Sequence, residues 1–212
     1  MIDAVIFDMD GTLFDTERVY EAGWLDAGVS LELYHRFIGR SKGDIDALML
    51  GAGMDPEATW AHKDAYQWKV FDEKGIPVKR GAAAALAFIR AQGMATAIAT
   101  SSAPEDAKEF LERTGFTQYF DAVVSGKYVP NGKPAPDIFL YAAKQLGCSP
   151  ERCVVVEDAP NGVRAGKAAG MTVVMVPDVI VPDAEDRSFV DRMMESLEEL
   201  PEYLKELNQT EA

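Results

Sequence analysis

Ala4-Val5-Ile6-Phe7-Asp8-Met9-Asp10-Gly11-Thr12 is the stretch on which the reading of the fold turns. Its first four residues are apolar without a break, the pattern of a strand buried on both faces of a parallel sheet. Two carboxylates one residue apart then leave that strand through a turn that Gly11 permits. A polar loop ending a strand would use the same residue types, so the stretch alone is ambiguous. Recurrence resolves it. Glu157-Asp158 follows a second run of the same kind, Cys153-Val154-Val155-Val156. If the two strands are neighbours, both acidic pairs meet at one sheet edge. Clustered carboxylates repel unless a cation joins them, and an all-oxygen site suits Mg²⁺.

Two further apolar runs, Ala95 to Ala99 and Thr172 to Val176, read as strands of the same sheet, with Asp121 to Val124 as a shorter fifth. Helical stretches separate them: Gly81 to Ala91, Pro104 to Thr114 with Ser102 as its expected cap, Pro136 to Leu146 and Gly162 to Ala169. Strand alternating with helix predicts an α/β domain with right-handed crossovers. From about Thr16 to Arg80 the rhythm breaks into helical patterns rich in aromatics (Tyr20, Trp24, Tyr34, Phe37, Trp60, Tyr66, Trp68 and Phe71), with no convincing strand. A helical module inserted just after the first strand starts and ends at the carboxyl edge of the sheet, where such sheets bind ligands. It is expected to act as a lid.

The other strand exits add polar groups. Thr100 and Ser101 follow Ala99, and Lys133 lies in Asn131-Gly132-Lys133-Pro134-Ala135-Pro136 ahead of a helix. Singly, a strand-end hydroxyl or a loop lysine needs no function. Jointly, a hydroxyl, an ammonium, acids and a metal are the parts of phosphoryl transfer, which is mostly positioning and neutralisation of charge.

Composition narrows the field. With 35 acidic against 21 basic residues the formal net charge is -14, the reverse of a nucleic-acid footprint. An anionic substrate must therefore be met locally. The 212 residues, 48% hydrophobic, suffice for one core and a smaller module. Cys148 and Cys153 make no disulfide framework, and no basic, apolar leader or bilayer-length run occurs, so a cytoplasmic protein without membrane partners is expected. No feature sets the oligomeric state, and a monomer is the expectation.

In these motifs and their order the chain resembles the haloacid dehalogenase-like hydrolase superfamily, in the branch with a helical cap. Asp8-Met9-Asp10-Gly11-Thr12 is similar to its first motif and Ala99-Thr100-Ser101-Ser102 to its second. Gly132-Lys133-Pro134 is similar to the third and Glu157-Asp158-Ala159-Pro160-Asn161-Gly162 to the fourth. The resemblance implies a three-layer Rossmann-like α/β core over 1–15 and 81–212 with an inserted α-helical cap over 16–80. It implies a Mg²⁺-dependent phosphatase acting on small phosphate monoesters, sugar phosphates among them. Asp8 would be nucleophile and metal ligand, ionised at neutral pH without a base. Asp10 would be general acid and base and lend its carbonyl to the metal. Asp158 would bind the metal directly and Glu157 more remotely. Thr100, Ser101 and Lys133 would hold the phosphoryl group, and Arg40 and Lys42 of the cap are candidates to meet a second anionic group. A β-phosphoglucomutase shares these motifs and is the alternative, yet such mutases usually carry valine where this chain has Thr12 and histidine where it has Tyr20. A silent binding protein would have lost Asp8 or Asp10, and both are present.

Overall fold

The structure is a computed structural model describing residues 1–37 and 42–210. The elements run β1 (Ala4–Phe7), α1 (Glu17–Asp26), α2 (Leu31–His35), α3 (Lys42–Gly51), α4 (Pro56–Lys74), α5 (Ala82–Ala91), β2 (Ala95–Thr100), α6 (Pro104–Thr114), β3 (Ala122–Ser125), α7 (Asp137–Leu146), β4 (Cys153–Glu157), α8 (Pro160–Ala168), β5 (Thr172–Met175), α9 (Ala184–Arg187), β6 (Arg192–Met193) and α10 (Leu200–Thr210). Two compact units result, Met1–Phe14 with Val78–Ala212, and Asp15–Pro77.

In the first unit the strands form one six-stranded parallel sheet in the order β3-β2-β1-β4-β5-β6. This is the doubly wound arrangement, whose order reverses beside the first strand. β1 is buried along its whole length because it lies between two neighbours and two helical layers. Ala4, Ile6, Ala97, Ala99, Cys153 and Val155 point into one apolar layer with Ile138, Phe139, Ala142 and Ala143 of α7 and Ala165 of α8. Val5, Phe7, Ile98, Val154 and Val156, of opposite parity, are equally buried on the other face, where α5 packs on β2 and α10 on α5. Continuous apolar strands and helices on both sides are thus one fact stated twice.

Two edge devices escape a reading by hydrophobic pattern. The main-chain N–H of Asp121 donates to Thr96 O (2.8 Å), while its carboxylate accepts from the Thr96 N–H (2.9 Å) and from Arg90 (2.8 Å). Asp191 repeats this on the opposite edge: its N–H donates to Val173 O (2.9 Å), and its carboxylate accepts from the Val173 N–H (2.8 Å) and Lys167 (2.7 Å). Each aspartate immediately precedes an edge strand, β3 or β6. β6 has only two residues, both exposed, and carries no apolar pattern.

The helix ahead of which Ser102 was expected to cap is capped differently. Ala103 is the N-cap and makes no side-chain capping hydrogen bond, while Pro104 opens the first turn. The Ser102 hydroxyl is engaged elsewhere, as described below.

The second unit is all helix among the described residues. Asp55 caps α4 by accepting from the Glu57 and Ala58 N–H groups, with Pro56 in its first turn. Trp24, Val29, Leu33, Tyr34, Phe37, Ile45 and Met49 form a core of its own, with Trp60 against Trp24 (ring centroids 4.5 Å apart). Lys63 is buried here with its ammonium over the Tyr20 ring at 4.4 Å, a contact that offsets lost hydration. No described helix is long and apolar enough to cross a membrane.

Candidate active site

Strand register alone assembles the site. Phe7 lies opposite Val156 on one side and Ile98 on the other, so the next residues, Asp8, Glu157 and Ala99, emerge side by side. The Asp8 N–H continues the ladder by donating to Val156 O at 2.9 Å. Asp8, Glu157 and Asp158 are all buried, and each offers a carboxylate oxygen within 4.8 Å of the others.

Lys133 arrives from the loop before α7 and joins them. Its ammonium donates to Asp8 Oδ1 (2.5 Å), Glu157 Oε1 (2.6 Å) and the Ala99 carbonyl (3.0 Å). A lysine has three protons, and all three are placed. Glu157 is satisfied at both ends, since its Oε2 accepts from the N–H groups of Asp158 (3.1 Å) and Ala159 (3.2 Å). Asp158 Oδ1 accepts from the Thr12 hydroxyl at 3.0 Å. The glycines are dictated by this crowding. A Cβ on Gly11, whose φ is +79°, would lie 2.3 Å from Asp158 Oδ2, and one on Gly162 would lie 1.7 Å from Glu157 Oε1.

Burial pushes the Asp8 carboxyl up to about 8, with Lys133 opposing and Glu157 reinforcing the rise. Burial also disfavours the Lys133 ammonium, but Asp8 and Glu157 outweigh it and hold the lysine above its ordinary range. One ammonium stands against three buried carboxylates, so further positive charge beside Asp8 would favour its ionised form. The donor set, hard oxygens short of one cation, fits Mg²⁺.

Asp10 leaves β1 two residues later and is only partly buried. Its Oδ2 accepts from the Ser102 hydroxyl at 2.6 Å. Thr100, fully buried at the end of β2, accepts at Oγ1 from the Ser102 N–H (3.0 Å). Ser101 is exposed beside it. Lys42 lies in the helical unit, paired with Asp46 (3.2 Å) and over the Trp60 ring (4.4 Å). Arg40 lies outside the described residues. The structure thus gathers Asp8, Asp10, Thr100, Ser101, Lys133, Glu157 and Asp158 at the carboxyl edge of the sheet. It adds Ser102 and Thr12 as partners that no spacing rule announces.

Residues 2–170 match the family model of haloacid dehalogenase-like hydrolases. The chain is 34% identical to a phosphorylated carbohydrates phosphatase of Thermotoga maritima, over 80% of this chain and 82% of that one. It is 33% identical to the fructose-1-phosphate phosphatase YqaB of Escherichia coli, over 81% and 95%. The crystal structure of CbbY from Rhodobacter sphaeroides in complex with phosphate superimposes with a TM-score of 0.81 at 28% identity, covering 94% of this chain and 96% of that one.

Proposed function

Because the chain belongs to the haloacid dehalogenase-like hydrolase family, we propose that it is a Mg²⁺-dependent phosphatase that cleaves small phosphate monoesters through a phosphorylated Asp8. The observation that carries this reading is the buried triad of Asp8, Glu157 and Lys133, with Asp10 held two residues along the exit of the same strand.

Asp8, Asp158 and the main-chain carbonyl of Asp10 would hold the ion, with Glu157, both of whose oxygens are already bonded, behind them. When bound, the ion supplies the positive charge that lets a carboxylate approach a phosphate dianion. An Asp8 oxygen attacks phosphorus, and the bond from phosphorus to the alcohol oxygen breaks as that oxygen takes the Asp10 proton. Asp10 then removes a proton from water. The water oxygen attacks phosphorus, the bond to Asp8 breaks, and phosphate leaves. Thr100 accepts from Ser102, so its own hydroxyl proton remains to donate to a phosphoryl oxygen. Lys133 fixes Asp8, and contacting the phosphoryl group would cost it one of its three bonds.

The names of the Thermotoga and Escherichia relatives support phosphorylated carbohydrates as the substrate class. Two free cysteines suit a reducing cytoplasm. Asp8→Asn tests the reading, since an amide is a poor nucleophile. Phosphate release from sugar phosphates should fall by at least about a thousandfold, roughly 4 kcal/mol of transition-state stabilisation. Retained activity above that level would refute the covalent route.

A further inference from the structure

We propose that Ser102 is a positioning residue for Asp10, fixing which of its two oxygens exchanges protons with the leaving alcohol and with water. The inference rests on the acid–base reading of Asp10 given above.

The geometry is specific. The Ser102 hydroxyl donates to Asp10 Oδ2 at 2.6 Å, a charge-assisted contact while Asp10 is ionised. Ser102 does not sit on a free loop. Its N–H donates to Thr100 Oγ1 (3.0 Å) and its carbonyl accepts from Ser125 Oγ (2.7 Å). Thr100 and Ser125 are paired residues at the carboxyl ends of β2 and β3, and both are buried. Two strands of the sheet therefore fix the backbone of Ser102, and its side chain reaches across to a residue 92 positions away.

With Oδ2 accepting from Ser102, the transferable proton belongs on Oδ1. That proton passes from Oδ1 to the alcohol oxygen as the bond to phosphorus breaks, and it is replaced from water as the bond between phosphorus and Asp8 is cut. Serine keeps its own proton throughout. Without the hydroxyl, Oδ2 loses this contact and the productive orientation is held less firmly.

The test compares an alkyl phosphate, whose leaving oxygen needs a proton, with 4-nitrophenyl phosphate, whose leaving oxygen does not. In Ser102→Ala both backbone anchors persist. Its kcat/KM should drop roughly 10- to 100-fold on the alkyl ester and stay within about threefold on the aryl ester. In an Asp10→Asn background the same substitution should cost almost nothing more, because its effect runs through Asp10. Equal losses on both esters, or a full loss added to Asp10→Asn, would overturn the proposal in favour of a direct contact with substrate. If Asp10→Asn alone shows no dependence on the leaving group, the acid–base reading itself falls.

Discussion

At the level of single residues the active centre is a problem of charge. Lys133 lies between Asp8 and Glu157 with three bonds and little exposure, so its removal cannot be made good by solvent. Lys133→Met should lower the stability of the metal-free protein by about 3–5 kcal/mol, the usual cost of leaving a buried charge without its partner. The sign with pH follows from the upward displacement of Asp8. A carboxyl that holds its proton more tightly folded than unfolded favours folding at low pH, so the loss should shrink as the medium is acidified. Thermal melts of both proteins in chelator, at pH 5 and pH 8, measure this; equal melting temperatures at pH 8 would contradict it. Mg²⁺ should stabilise the variant more than the parent, because the added cation meets the larger deficit.

Among elements, what could be read from sequence divides sharply from what could not. Four strands, two of them with acidic exits, were legible because burial on both faces leaves no room for polar alternation, as in Cys153 to Val156. β6 was not, since two exposed residues carry no period, and its placement depends on Asp191. The partnership of Ser102 with Asp10 was equally hidden, being a contact between distant loops that local propensity would assign to helix capping. The edge aspartates invite a direct measurement. Asp121→Ala and Asp191→Ala each strand a strand-start N–H, at about 1–3 kcal/mol, whereas the Asn variants keep an acceptor and should lose less. The Asp121 contacts depend on pH. Despite the opposing effect of burial, hydrogen bonds from Thr96 and Arg90 hold its carboxyl below the usual range. Its contribution is complete above the ordinary aspartate range and disappears as pH falls through the lowered value. Urea titrations at pH 7 and at successively lower pH should show the full Asp121→Ala penalty at the former and a shrinking one below the ordinary aspartate range.

Over the whole molecule the remaining choice is between water and a sugar hydroxyl as the acceptor of the phosphoryl group. A mutase must hold a bisphosphate by cations at both ends. Lys42, one cation considered for that task, pairs with Asp46 and lies over the Trp60 ring within its own unit. β-Glucose 1-phosphate, where accepted, should therefore yield glucose and inorganic phosphate. Phosphorus NMR would record a growing glucose 6-phosphate signal instead if the mutase reading were right. The paired aspartates at the sheet's edges have a consequence of a different sort. They sit where β3 and β6 begin, whereas the carboxylates of the candidate site sit where β1 and β4 end. The edge anchors and the candidate site thus occupy opposite rims, about a strand's length apart. Random mutagenesis selected for heat resistance should leave Asp121 and Asp191 in place, since their replacement strands the N–H groups of Thr96 and Val173. Selection for new substrates should spare the edge anchors and, at the second rim, spare Lys133, whose loss is costly. A lineage of such proteins could diversify what it hydrolyses while inheriting its scaffold unchanged.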